Sequence, residues 1–333
     1  MIAHDGERPV ALTCGEPAGI GPEIAARAWD RLKGRLPFFW IGDPAHLPRG
    51  VPVREIADPG EAASHCATAL PVLPHPFPAP NRPGRPDPDN AAAVIEVIAR
   101  AVKLAMSGAA AAVCTAPIHK KALKDGAGFA YPGHTEYLAH LGGVDRVVMM
   151  LACPGLKVVP VTIHIPLAEV PGALTPALLR DTIRITARAM ARDFATPGAR
   201  IAVAGLNPHA GEGGAIGREE IELIGPVLDG LRDEGLAILG PLSADTMFHD
   251  AARARYDVAV AMYHDQALIP VKTIDFAGGV NVTLGLPFVR TSPDHGTAFD
   301  IAGHGTADPS SLIAALRMAR EMAGGTATAP GTA

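Results

Sequence analysis

Val258-Ala-Val-Ala-Met-Tyr-His264-Asp265-Gln266 sets an unbroken apolar run directly before a histidine. A short continuous run of this kind suits a strand buried on both faces. The same order occurs twice more, in Val158-Val-Pro-Val-Thr-Ile-His164 and in Ile201-Ala-Val-Ala-Gly-Leu-Asn-Pro-His209. Outward from these, strand-like runs fall at 10–13, 38–42, 111–115, 146–152 and 280–284. They alternate with helical periodicity at 22–32, 90–106, 176–191, 218–233 and 309–322. Short buried strands separated by longer helices predict an α/β fold with a largely parallel sheet. In such sheets ligands bind at the carboxyl ends of the strands. His164, His209 and His264 all stand at such ends.

A single histidine after a strand is more often a hydrogen-bonded surface residue than a ligand. Three in the same topological position make a different case. Neutral imidazoles converging on one point bind a divalent metal and leave a coordination position open for substrate or water. There is no H-E-x-x-H, so the helical metallohydrolase signature is absent.

The composition sets outer limits. The 333 residues suggest about two domains, and the net charge of −5 speaks against a nucleic-acid protein. Apolar residues reach 48%, enough for a large core and against global disorder. Cys14, Cys66, Cys114 and Cys153 are scattered, with no C-x-x-C pair. That excludes a disulfide framework and suits a reducing cytoplasm. The first eight residues lack the apolar core of a signal peptide, and no stretch is long enough to span a membrane. The proline-rich segment 70–88 reads as a surface crossing and not as a regular element. No clean interdomain linker appears, which predicts a discontinuous first lobe of 1–130 plus 280–325. A second lobe of 131–279 and a flexible tail of 326–333 complete the division.

Signals for an anion are mixed. Neither a P-loop nor a G-x-G-x-x-G after a strand is present. Gly133-His-Thr-Glu136 opens a predicted helix, whose free N–H groups suit an anion, although Thr135 equally suits a helix N-cap. Lys272 and Arg290 each close an apolar run. Such cations usually cap surface loops, but two of them beside three candidate metal ligands favour phosphate binding. The glycine-rich stretch 15–23 is either a tight strand-to-helix turn or a place of close ligand approach. Asn207 to Gly217 is a second glycine-rich loop, and its glycines surround His209.

Several long motifs now fall into one order along the chain. They are Gly15-Glu-Pro-Ala-Gly-Ile-Gly-Pro-Glu23, Gly133-His-Thr-Glu136, Asn207-Pro-His-Ala-Gly-Glu-Gly-Gly214, Gly240-Pro-Leu-Ser-Ala-Asp-Thr-Met-Phe248, Tyr263-His-Asp-Gln266 and Gly279-Val-Asn-Val-Thr-Leu-Gly-Leu-Pro-Phe-Val-Arg-Thr-Ser292. Together they resemble the 4-hydroxythreonine-4-phosphate dehydrogenase family of pyridoxal phosphate synthesis. Glu16 stands where that family more often has Asp. The resemblance implies a two-lobed α/β/α architecture like that of the isopropylmalate and isocitrate dehydrogenases. The active site would lie in the interlobe cleft at a dimer interface. It implies metal ligands His164, His209 and His264, the third supplied by the other subunit of a homodimer. The metal would be Zn²⁺ ahead of Co²⁺ or Mg²⁺. Substrate would be held by His134, Thr135, Lys272, Asn281 and Arg290, and the cofactor would be NAD or NADP. A second likeness joins Asp294-His-Gly-Thr-Ala-Phe-Asp-Ile-Ala-Gly-His-Gly-Thr-Ala307 to the adenosine-binding loop of isopropylmalate dehydrogenases. It implies Asp300, His295 and Gly296 as cofactor contacts. An acidic Asp300 at the ribose would favour NAD, as acidic residues do in Rossmann enzymes.

The chemistry implied is oxidation of a phosphorylated hydroxy acid to a β-keto acid that loses carbon dioxide. Asp245 and His134 are the candidate general bases, beside a metal-bound hydroxide. A paralogue acting on 4-phosphorylated threonate or erythronate would keep the same ligands. A metal-dependent phosphatase would use three histidines and two cations but would have no use for the 294–307 loop. A phosphosugar-binding regulatory protein would have no use for the histidines, and an acyltransferase on the same fold would need no metal.

Overall fold

The structure, a computed structural model, describes residues 8–328. Its strands are β1 (Val10–Thr13), β2 (Phe38–Gly42), β3 (Val53–Glu55), β4 (Leu70–Pro74), β5 (Ala112–Thr115), β6 (Val148–Cys153), β7 (Leu156–Pro160), β8 (Ile201–Ala204), β9 (Ile238–Leu242), β10 (Val258–Ala261), β11 (Val280–Leu284) and β12 (Arg290–Pro293). The chain forms two compact units. The first runs to Val147 and resumes over Leu286–Ala327; the second is Val148–Gly285.

The first unit orders its strands β3-β4-β2-β1-β5-β12. All of its pairings are parallel. Every residue of β1, β2 and β5 is buried, as expected of a parallel sheet covered on both faces. The helix Ala91–Met106 buries Val94, Val97, Ile98, Ala101 and Val102, an i, i+3, i+4, i+7, i+8 stripe against that sheet. The second unit orders its strands β11-β6-β7-β10-β8-β9. Here β6 pairs antiparallel with both β11 and β7, while β7, β10, β8 and β9 run parallel.

Several details depart from the expectation. The division falls after Val147 and Gly285, against the expected 130 and 279. The helix His134–Leu141 packs on Ala91–Met106, which ties it to the first unit, and β11 pairs with β6, which ties 280–284 to the second. The 70–88 segment opens with a buried strand, β4, because Val72 and Leu73 are apolar enough to enter the sheet between β2 and β3 despite the flanking prolines. The predicted strand at 146–152 runs over Val148–Cys153, and the one at 158–163 over Leu156–Pro160. Of the expected tail, 326–328 complete the helix Ser310–Thr328, and 329–333 lie outside the described residues, as does most of the N-terminal segment read for targeting. All four cysteines are free and buried. Among the described residues no helix is long and apolar enough to cross a membrane.

At the end of β1, buried Thr13 accepts a hydrogen bond from the Ala116 N–H at 3.2 Å, fixing the loop that leaves β5. Thr13→Val keeps the shape and removes the acceptor. It is expected to cost about 1–3 kcal/mol, read as a lower urea midpoint. An unchanged midpoint would show that this bond does not secure the loop.

Candidate active site

Parallel pairing carries β7 and β10 out of the sheet side by side in the second unit. The Val161 N–H donates to the Ala261 carbonyl, and Thr162 donates to the Met262 carbonyl through both its N–H and its hydroxyl, the latter at 2.8 Å. Two residues beyond those contacts, the His164 and His264 rings lie together, tilted by 43° with centroids 5.6 Å apart. They border a cavity of about 220 Å³ that Thr162, Ile163, Tyr263 and Asp265 also line. His264 Nδ1 lies 2.7 Å from the Asp265 carboxylate. With the proton on Nδ1, that contact leaves Nε2 as the ring's lone-pair donor, the usual arrangement behind a metal-ligating histidine. His164 has φ +53, a conformation that non-glycine residues rarely hold unless the surroundings impose it.

His209 lies five residues beyond β8, at φ +52, with its Nδ1 3.9 Å from Glu212. Among the described residues no three His, Cys, Asp or Glu side chains are grouped to hold a metal ion. Within one chain, then, the structure brings His164 and His264 together and leaves His209 outside the pair. The pair suits two donors to a divalent ion. Asp245 is exposed just after β9 and accepts from the Ser243 hydroxyl. That bond, with His209 as a lesser contributor, holds its carboxyl below the usual range, so it is ionised at neutral pH.

Lys272 closes its apolar run inside a helix and not at a surface loop: it lies in the last turn of His264–Ile274, its ammonium 5.1 Å from the Phe276 ring centroid. The same ammonium approaches Gly279, two residues before half-buried Asn281 at the start of β11.

In the first unit Arg290 opens β12 and is only 3% exposed, so it does not cap a surface loop. Its Nη2 donates to the Thr115 hydroxyl at the end of β5, at 2.7 Å. His134 opens the helix His134–Leu141, and Gly133, not Thr135, takes the N-cap position. Thr135 therefore sits in the first turn with its hydroxyl not engaged as a cap. His134 Nε2 is sealed from solvent with no hydrogen-bond partner. Burial, then Arg290 and Lys120, push its pKa well below 6.5. Lys120, whose ammonium lies against Gly133, is a residue that the motif reading passed over. Its signal was a lysine five residues past β5, where it opens the helix Lys120–Ala127. A helix N-terminus, a buried guanidinium and a lysine are groups that suit an anion.

The 294–307 loop is tied down along its length. The Thr297 carbonyl accepts from Ile20 at 3.0 Å, the Ala307 N–H donates to Glu23 at 3.0 Å, and Arg27 donates to the Gly305 carbonyl at 3.2 Å. A methyl on Gly19 would fall 2.8 Å from the Thr297 carbonyl oxygen, so there the glycine-rich 15–23 stretch serves close backbone packing. Asp300 and Gly296 are exposed on this loop. His295 Nδ1 contacts the Gly296 carbonyl at 3.0 Å, and its Nε2 is buried without a partner. An exposed carboxylate on a fixed loop suits ribose hydroxyls.

Cationic groups gathered in the first unit and an imidazole pair in the second suit the chemistry of anionic small molecules, and the comparisons give the class. The family described as pyridoxal phosphate biosynthetic protein PdxA matches residues 37–319. The chain is 65% identical over 320 residues to the 4-hydroxythreonine-4-phosphate dehydrogenase of Paracoccus denitrificans, covering 95% of this chain and 98% of that one. It is 52% identical over 326 residues to the protein of the same name from Caulobacter vibrioides, with 95% and 98% covered. The crystal structure of 4-hydroxythreonine-4-phosphate dehydrogenase from Klebsiella pneumoniae superimposes with a TM-score of 0.87 at 39% identity, covering 95% and 99%. The chain belongs to this family.

The lowered His134 pKa has a consequence for stability. Below pH 6.5 the unfolded chain takes up a proton at this residue and the folded chain does not, so stability falls as pH drops through that value. His134→Asn is expected to flatten the loss of urea midpoint between about pH 7.5 and about pH 5.5, with buried His46 retaining its share of the slope. An identical slope in the variant would contradict the shift.

Proposed function

We propose that the chain oxidises 4-phosphooxy-L-threonine with NAD(P) and a divalent metal. The product is a 3-oxo acid that loses carbon dioxide to give 3-amino-2-oxopropyl phosphate in pyridoxine 5′-phosphate synthesis. The observation that carries this is 65% identity across 95% of the chain to a protein named for that activity. His134, Thr135, Lys272, Asn281 and Arg290 are assigned to the substrate. His164, His209 and His264 are assigned to the metal; the resemblance gives the third to the other subunit of a homodimer, whereas the approach of His164 and His264 within one chain favours His209 for that place. The neighbouring His164 and His264 rings support two of those donors.

When bound, the two cofactors supply a hydride acceptor and a Lewis acid. The residues do the rest. Arg290 and its helix N-terminus hold the phosphate, and that remote binding energy aligns the reacting carbon. The substrate hydroxyl gives its proton to a base of the chain; the hydride from the same carbon would pass to the nicotinamide once that cofactor is bound, leaving a C=O bond. Asp245 begins ionised and able to accept that proton. His134 begins neutral, held so by burial and then by Arg290 and Lys120, which suits a hydrogen bond to the phosphate better than proton uptake. The exposed Asp300 carboxylate supports NAD over NADP. Zn²⁺ is the metal that three imidazoles favour here, with Co²⁺ or Mg²⁺ as the other choices.

The test is spectroscopic NAD(P) reduction over 4-phosphooxy-L-threonine, 4-phosphothreonate and 4-phosphoerythronate, with and without chelator. Chelator-sensitive reduction with the amino acid is expected. Reduction only with the threonate or erythronate would assign the chain to a paralogous activity, and phosphate release without reduction would overturn the oxidoreductase reading. His209→Ala is expected to lose both bound metal and turnover while unfolding cooperatively. Full turnover in a metal-free His209→Ala protein would reject the metal assignment.

A further inference from the structure

The turn that carries His209 is left-handed over five successive residues. His209, Ala210, Gly211, Glu212 and Gly213 have φ of 52, 51, 79, 44 and 67°. Three of them bear side chains, whereas L-residues visit this region singly and seldom. Something beneath the turn must hold it. Glu220 lies there, only 4% exposed, at the first residue of a π-helical turn, Glu220–Ile224. Its Oε1 accepts from the Asn207 backbone N–H at 2.8 Å and its Oε2 from the Asn207 side-chain amide at 3.0 Å. The same amide donates to Glu219 at 2.6 Å. The turn's own backbone roofs the carboxylate. A methyl on Gly211 would fall 2.6 Å from Oε2, and one on Gly205 would fall 2.9 Å from Oε1. A methyl on Gly217 would collide with the Asn207 side chain. The glycines of this loop thus leave space for one buried carboxylate and the asparagine it grips. Isolated π-turns inside helices are often found at functional sites.

We infer that Glu220 is a positioning residue. Its buried carboxylate pins Asn207 and seats the left-handed turn, so that the His209 ring is presented in one orientation to a divalent ion. The inference rests on the reading of His209 as a metal ligand. Glu220 does not ligate the ion itself, because both of its oxygens are already engaged with Asn207. Residues standing behind a ligand in this way typically change metal affinity 10–100-fold when replaced.

Isothermal titration of Zn²⁺ into the chelator-treated full-length protein tests it. Glu220→Gln keeps the shape but turns an N–H toward a donor of Asn207. It is expected to weaken Zn²⁺ binding by about 10–100-fold, and to add nothing to the loss in His209→Ala when the two are combined. Wild-type affinity in Glu220→Gln beside a weakened His209→Ala would overturn the positioning role, as would additive losses in the double variant. Wild-type affinity in His209→Ala would instead remove the ligand assignment beneath it. A second pair covers the case in which Glu220→Gln fails to fold. Gly211 and Gly213 both have positive φ, but a methyl at 213 meets nothing within 4 Å. Gly211→Ala is expected to lose Zn²⁺ affinity and Gly213→Ala to retain most of it. Equal losses would assign the effect to backbone strain and contradict the inference.

Discussion

A guanidinium 3% exposed is the constraint on which the first unit's chemistry depends. Burying a cation costs several kcal/mol unless its donors are met. Burial draws the Arg290 pKa down to about 10, which still leaves it charged at neutral pH. Thr115 takes one donor, and the pair joins the end of β5 to the start of β12. A rigid guanidinium fork suits a phosphate's oxygens in a way that an exposed lysine does not, which is why the proposed function gives Arg290 the anion. His134 stays neutral first because its ring is buried, and then because a further positive charge there would be opposed by Arg290 and Lys120.

The second unit applies sheet geometry to a different end. Its parallel strands β7, β10 and β8 deliver their chains to one edge, and the residues just beyond that edge carry the histidines. Two of the three hold positive φ, His164 at +53 and His209 at +52. Strain of that kind persists where the surroundings over-determine it, and it concentrates at functional sites. For His209 the surroundings are a buried glutamate and a set of glycines too close to it to be anything else.

The strand ends were legible because both-face burial leaves an unbroken apolar signature, and the histidines follow it directly. The fold class was legible for the same reason. Other features had no local signal. The antiparallel run of β6 against its neighbours depends on pairing partners distant in the chain. Strand β4 was hidden by prolines that mark turns elsewhere, β9 carries a Gly-Pro pair inside a short apolar run, and β12 is short, largely polar and ends in proline. Arg290 reads as a loop cation until its burial is known. Thr135 reads as an N-cap until Gly133 is seen in that position. Glu220 is one acidic residue in a helical stretch, and only the left-handed turn above it shows its use.

The most direct test of the account is calorimetric binding of 4-phosphooxy-L-threonine to the wild type and to Arg290→Gln, with cooperative thermal unfolding as the check on folding. A hydrogen bond to a charged group contributes about 1.5–3 kcal/mol, so the variant is predicted to bind roughly 10–150-fold more weakly. A folded Arg290→Gln protein that binds the phosphorylated substrate as tightly as the wild type would contradict the claim that this buried charge is the anion's seat.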